Sequence, residues 1–341
     1  MSLKDHNQHW RMPAAYLKVL LQTIASQHLQ VGALLTGTGL EADQLMQSDQ
    51  AVSFLETRRV VANVTRSLGP GWHLSLAQHL TISSHGPLGF AAVTAPDLRA
   101  SVDVLLRFFG IRGPFLWLAG SVENDRFVIR LYETTDLGSE RNVLVELAVL
   151  AIQNLLERPL GRELRGARIT FAYPAPAYCD QLNAAFHPEL EFNASRHKLS
   201  FPVEWLDQPC VLYDEAMHRY LLMRCEEDMR TFSGILPAEI AIRQALLARP
   251  EQLPSLGEIA AAQSVSPRTL IRRLKRVNTS YNTILEDVRK TLAVDYLLRS
   301  DMSVNRIGYR LGYQDPSNFG RAFRSWFGTS PGRYRDVEGG S

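Results

Sequence analysis

The stretch Arg306-Ile-Gly-Tyr-Arg-Leu-Gly-Tyr-Gln-Asp-Pro-Ser-Asn-Phe-Gly-Arg-Ala-Phe-Arg-Ser-Trp-Phe-Gly-Thr-Ser-Pro-Gly-Arg-Tyr-Arg335 decides how this chain is read. Ser303 is placed to cap a helix over residues 304–311, and Gly312 has the permissive backbone that ends one. Asp315-Pro316 then offers a side-chain acceptor followed by proline at a first helical position, a start signal for the next helix. Over residues 317–327, Phe319, Phe323 and Phe327 recur at four-residue steps and predict a buried face. Ser317, Asn318, Arg321 and Arg324 fall on the other side. A short helix, a tight turn and a helix with arginines on its open face make the helix-turn-helix pattern of DNA-reading modules.

Upstream the pattern recurs. Ser255 caps a helix carrying Leu256, Ile259 and Ala260, Val265 marks a turn, and Ser266-Pro267 starts a helix with Leu270, Leu274 and Val277 inward. Its open face carries Arg268, Thr269, Arg272, Arg273, Lys275 and Arg276. Pro267 and Pro316 are 49 residues apart, and so are Arg272 and Arg321. Between the two units residues 281–298 predict a helix with Ile284, Val288, Leu292 and Tyr296 on one stripe, a rod of roughly 27 Å. Two reading helices at that separation suit successive major-groove segments, about 34 Å apart. Arginine pairs with guanine O6 and N7, whereas lysines and hydroxyls mostly hold phosphates. A further helix, residues 238–248, precedes the set with Ile240, Ile242, Leu246 and Leu247 apolar.

Charge agrees with this placement. The 341 residues carry a formal net charge of +2, but residues 237–341 hold 16 Lys and Arg against 10 Asp and Glu, leaving the remainder acidic. A basic third on an acidic body points to double-stranded DNA as the partner of that third alone. Cys179, Cys210 and Cys225 are odd in number and show no C-x-x-C spacing, so no disulfide framework is expected. With no leader-like segment and no apolar run of the roughly 20 residues a membrane span needs, a cytoplasmic location without membrane contact is expected.

Residues 1–232 read as an α+β sensing and dimerisation domain, and residues 233–341 as an all-α domain with two helix-turn-helix motifs joined by a long helix. In the body, helices are predicted from Pro13 to residue 27, on both sides of Gly37-Thr-Gly39, over residues 56–68, and after Asp97 with Val102, Leu105, Leu106 and Phe109 inward. A β-hairpin turns at Glu123-Asn-Asp between two alternating runs. A long helix over residues 140–156, stopped by Pro159-Leu-Gly161, is expected; a strand at 168–173, a helix at 178–186 and two short strands around Ser195-Arg196 follow. A charged helix over 212–232 breaks at Ser233-Gly-Ile-Leu-Pro237, the expected boundary.

Catalysis finds no footing in the body. His79, His85, His187 and His197 lack the partner spacing of an H-E-x-x-H site, Glu163 and Asp180 lie in different elements, and no nucleophile elbow, P-loop or dinucleotide fingerprint occurs. No cofactor and no metal are expected. The aromatic set Phe90, Phe108, Phe109, Phe115, Trp117, Phe127 and Tyr132 supplies either packed core or the wall of a cavity for a small, largely apolar effector, with Phe90, Phe109, Phe115 and Trp117 as its candidate contacts.

Leu311-Gly-Tyr313, Phe319-Gly-Arg-Ala-Phe323 and Phe327-Gly-Thr-Ser-Pro331 running to Tyr334-Arg335 resemble the DNA-binding domain of AraC/XylS-type transcriptional regulators over residues 237–335. The stretches Leu35-Thr-Gly-Thr-Gly-Leu40, Gly86-Pro-Leu-Gly-Phe-Ala-Ala-Val-Thr-Ala-Pro96 and Tyr173-Pro-Ala-Pro176 resemble the arabinose-binding-like N-terminal domain of one subset of that family. The resemblance implies base-edge contacts at Arg268, Thr269, Ile271 and Arg272, and at Pro316, Ser317, Gly320 and Arg321; Arg324 on the same open face is a further candidate. Gly308 stands where the family usually has alanine and Gly320 where serine is common, each a cost of up to about 1 kcal/mol in helix stability. Ile271 and Pro316 replace polar types, so hydrogen-bond readout there gives way, at Ile271, to contact with a thymine methyl. The implied function is a ligand-responsive regulator, an activator working with RNA polymerase as a homodimer on a bacterial metabolic or signalling operon. The competing readings are a DNA-binding protein whose body only mediates assembly, and a DNA-repair alkyl-transfer protein, which needs a reactive cysteine.

Overall fold

The described residues of the computed structural model are 11–25, 31–47, 51–77, 79–235, 238–250, 252–263, 265–276, 279–300 and 302–338. The chain divides into two compact units, Met1–Ile235 and Leu236–Ser341. In the first, β1 (Arg11–Pro13) pairs antiparallel with β2 (Ala51–Ser53), and α1 (Ala15–Ala25), α2 (Val31–Leu34) and α3 (Ala42–Gln47) run between them. Pro13 therefore closes a strand opposite Ala51 instead of opening the first helix; the expected end at residue 27 lies outside the described residues. α4 (Phe54–Leu68) starts two residues earlier than the periodicity suggests, because Ser53 and Glu56 form a reciprocal cap: Ser53 Oγ accepts from the Glu56 N–H at 3.1 Å, and Glu56 Oε2 from the Ser53 N–H at 2.6 Å.

After α5 (Trp72–Ala77) comes α6 (Gly86–Val93), where a side chain at Gly89 would overlap the Ile82 carbonyl oxygen. Asp97 Oδ1 accepts the Ala100 N–H at 2.8 Å and starts α7 (Leu98–Arg112), burying Val102, Leu105 and Phe109 and half-burying Leu106. The hairpin of β3 (Leu116–Glu123) and β4 (Arg126–Glu133) turns at Asn124, which takes a positive φ of 54°. With α8 (Arg141–Leu160), β5 (Arg168–Thr170), α9 (Cys179–Ala185), β6 (Glu189–Glu191) and β7 (His197–Pro202) it builds a five-stranded sheet ordered β3-β4-β7-β5-β6. Every pairing is antiparallel except β5 with β6. Alternation along β7 buries His197, Leu199 and Phe201, and α7 packs against β3.

Two stop signals act differently from expectation. Pro159 sits inside the last turn of α8, and Gly161, at a left-handed φ of 66°, ends the helix. α10 (Glu215–Ile235) starts later than residue 212 and runs through Ser233 to Ile235, past the predicted break. A fully buried carboxyl group, Glu146 on α8, collects three donors: His73 Nε2 at 2.5 Å, Tyr173 OH at 2.5 Å and Tyr178 OH at 3.1 Å. They tie α5 and the segment after β5 to α8. Burial pushes both tyrosine hydroxyls up, and the Glu146 carboxyl pushes them further.

The second unit is helical: α11 (Ala238–Ala248), α12 (Leu256–Ala262), α13 (Pro267–Arg276), α14 (Tyr281–Arg299), α15 (Val304–Arg310), α16 (Pro316–Phe327) and α17 (Pro331–Glu338). α11 packs on α14, α12 on α13, α15 on α16, and α17 on α14 and α16. Ile242, Leu246, Leu270, Leu274, Ile284, Val288, Leu292, Ile307 and Phe319 form its core, while Tyr296 is half-buried and Val277 lies outside the described residues. The chain thus joins a mixed α/β N-terminal unit to a helical C-terminal unit.

Candidate nucleic-acid interface and ligand cavity

Capping fixes where α13 and α16 begin, and burial fixes which side of each is open. Ser266 Oγ accepts the Thr269 N–H at 3.2 Å, and Asp315 Oδ1 accepts the Ser317 N–H at 2.8 Å. That backbone bond holds the Asp315 carboxyl below the usual range. Leu270 and Leu274 seat α13; Phe319 and Phe323 seat α16, all four essentially without exposure. Arg268, Ile271 and Arg272 are left exposed on α13, with Thr269 half-buried and its hydroxyl 2.9 Å from Ser266 Oγ. Ser317, Arg321 and Arg324 are exposed on α16, and Pro316 and Gly320 half-buried. Phe327, expected inside, is half-buried, with its ring 4.6 Å from that of Phe323 and 5.5 Å from that of Tyr334.

The arginines of this unit fall into two groups. Arg243 pairs with Asp287 at 3.1 Å. Arg289 Nε donates to the Leu311 carbonyl at 2.8 Å, and its guanidinium lies 4.5 Å from the centre of the Tyr313 ring. Arg335 donates to the carbonyls of Leu297 and Met302 at 2.8 and 2.7 Å, closing the end of α14. These hold the fold. Among the described residues no carboxyl group forms an ion pair with Arg268, Arg272, Arg321 or Arg324; Arg321 donates to Asn318 Oδ1 at 2.5 Å. α13 contains five basic residues and no acidic one; of these Arg268, Arg272 and Lys275 are exposed, and among the described residues no carboxyl group pairs with them.

In the first unit an apolar cavity of about 100 Å³ is walled by five helices. Its wall comes from α1 (Tyr16, Leu17, Leu20), α4 (Thr57, Val61), α5 (Trp72, Leu76), α7 (Phe109, Arg112) and α8 (Leu144, Leu147, Ala148, Ala151), with Leu80, Gly113 and Phe115. Phe109 and Phe115 of the expected contacts lie here. Phe90, 42% exposed, and Trp117, buried elsewhere, do not. Arg112, Tyr16 and Trp72 carried no local sequence signal, because five separate segments converge on the cavity. No group of three His, Cys, Asp or Glu among the described residues is placed to hold a metal ion, and no described helix is long and apolar enough to cross a membrane. Burial, with Asp97 and Asp228 adding, pushes the Cys210 thiol up to about 11 and the Cys225 thiol to about 12. Thiols so held are weak nucleophiles, so neither Cys210 nor Cys225 suits alkyl transfer.

Two sequence profiles match. "Arabinose-binding domain of AraC transcription regulator, N-term" covers residues 29–210, and "Helix-turn-helix domain" covers residues 259–336. The ornithine utilization regulator of Pseudomonas aeruginosa is 30% identical over 327 residues, 96% of each chain. The chain belongs to the AraC family of transcription regulators. The transcriptional activator NphR of Rhodococcus sp is 41% identical over 81 residues, 24% of each chain. The crystal structure of the Pseudomonas aeruginosa regulator CdpR covers 94% of this chain and 98% of its own at 19% identity, with a TM-score of 0.47. This AraC-family member is a transcriptional regulator with a helix-turn-helix DNA-binding domain, and its family consists of regulators, not enzymes.

The two glycines that depart from the family pattern differ physically. A Cβ at Gly308 would stand 3.2 Å from Phe319 Cβ and 3.4 Å from Pro316 Cα, because α15 and α16 cross closely there. At Gly320 a Cβ meets nothing within 4 Å. Gly320→Ala should therefore gain the full helix preference, about 0.5–1 kcal/mol, and slow amide hydrogen exchange across α16 by about 2–5-fold in the full chain. Gly308→Ala should gain less or lose; equal or greater protection in Gly308→Ala would contradict this packing account.

Proposed function

We propose that this regulator activates transcription in response to a small, largely apolar effector, and that α12–α13 and α15–α16 are two helix-turn-helix units joined by α14. The observation that carries the reading is the matched pair α13 and α16. Both begin at a capped proline, both are seated by fully buried apolar residues, and both leave unpaired arginines exposed. α14, with 19 residues, is a rod of about 28 Å, close to the 34 Å repeat of the major groove. In this reading Arg268, Thr269, Ile271 and Arg272 meet one groove segment, and Pro316, Ser317, Gly320, Arg321 and Arg324 the next. Relatives named as activators support the direction of regulation, and contact with RNA polymerase in the cytoplasm is the corresponding output.

The effector is placed in the apolar cavity. Its lining holds no carboxyl group, so ornithine, with two ammonium groups, finds no counter-charge there, and a sugar finds few hydrogen-bond partners. Dimerisation is assigned to the first unit, where Met217, Tyr220 and Met223 on α10 are 48, 54 and 56% exposed, an apolar strip that a second copy would cover.

Two measurements test this. On a site selected from random duplexes, Arg321→Ala should lower affinity by roughly 1–3 kcal/mol, and much less on random DNA; equal loss on both would reduce Arg321 to a phosphate contact. Light scattering should give twice the chain mass, and about the single-chain mass for Tyr220→Asp. A single-chain mass for the unaltered protein, or an unchanged dimer in the variant, would remove α10 from the interface.

A further inference from the structure

The cavity in the first unit is apolar except at one end. There Arg112, the last residue of α7, is the one charged residue in the wall. Its Nη2 donates to the Ser84 carbonyl at 2.7 Å, and its guanidinium carbon lies 5.5 Å from the centre of the Tyr16 ring. Its Nε is buried and has no hydrogen-bond acceptor, and no carboxyl group among the described residues forms an ion pair with it. The neighbouring polar groups do not supply the missing charge. Tyr16 OH lies 3.0 Å from His85 Nδ1. Burial, with Arg112 adding, lowers His85 to about 4, so at neutral pH the imidazole is uncharged and Arg112 stands alone.

A guanidinium facing apolar surroundings without a counter-ion is unfavourable, and the imbalance is relieved when an anion joins it. No carboxyl group among the described residues supplies one at this point, which leaves that role to an occupant of the cavity. A dianion would exceed the single positive charge. A planar monocarboxylate matches it and accepts N–H donors in the guanidinium plane. The rest of the wall, Leu17, Leu20, Val61, Leu76 and Phe115 among it, favours an apolar body.

We infer that the effector is an apolar monocarboxylate whose head group binds Arg112 and whose tail lies along the α1, α4 and α8 side of the cavity. This rests on the reading of the cavity as the effector site and adds the chemical class and the anchoring residue. It also makes Arg112 the specificity-determining residue: a neutral ligand of the same shape would leave the guanidinium without a counter-charge, and a cationic one would meet like charge.

Calorimetric titration of the full chain with octanoate, 1-octanol and octylamine tests it. Octanoate should bind at least tenfold more tightly than 1-octanol, with octylamine weakest. Arg112→Met should weaken octanoate to the level of the alcohol while leaving 1-octanol unchanged, and Arg112→Lys should keep part of the preference. If Arg112→Met does not fold, the comparison of the three probes on the unaltered chain decides alone. Equal binding of octanoate and 1-octanol, or an Arg112→Met that weakens both alike, would overturn the carboxylate assignment and leave the cavity as the effector site. Failure of all three probes to bind would overturn both.

Discussion

Everything the C-terminal unit presents to solvent follows from what α13 and α16 must bury. A helix has one roll angle, and once Phe319 and Phe323 are shielded from water the side chains of Arg321 and Arg324 have no inward option. Leu270 and Leu274 do the same for Arg268 and Arg272. Each buried side chain of this size is worth roughly 1.5–3 kcal/mol, more than a surface arginine gains from any neighbouring group. The open faces are thus fixed by the core, and the arginines on them are held ready before DNA arrives.

Arginine serves three purposes in this chain, and the surroundings tell them apart. Arg289 and Arg335 spend their donors on backbone carbonyls at helix ends, which is why the Tyr334-Arg335 end of the signature is structural. Among the described residues Arg272 and Arg321 have no carboxyl partner, and both face solvent, as the proposed contact with phosphates or guanine edges requires. Arg112 is the third kind, a cation at the end of an apolar cavity.

The caps were legible in the sequence because they are local: Ser255, Ser266, Ser303, Asp97 and Asp315 each bond to a backbone N–H two or three residues ahead. The aromatic repeat of α16 was legible for the same reason. What failed depended on distant partners. Pro13 joined a strand because residues 51–53 lie beside it. Pro159 stays in the last turn of α8, where its carbonyl accepts the Val211 N–H at 2.8 Å from a distant segment. Phe90 and Trp117 have the right chemistry for a cavity wall, yet their helix and strand face elsewhere. Glu146 with His73, and Arg112 with Tyr16, join residues 73 and 96 positions apart, a distance at which periodicity carries no information.

In the proposed arrangement two reading helices separated by α14 dock together along one side of a duplex. Hydroxyl-radical footprinting of the full chain on a selected site measures this directly. Each bound chain should protect two segments on the same face, centred about one helical turn, roughly 10 base pairs, apart. A single protected segment per chain no longer than half a turn would contradict it.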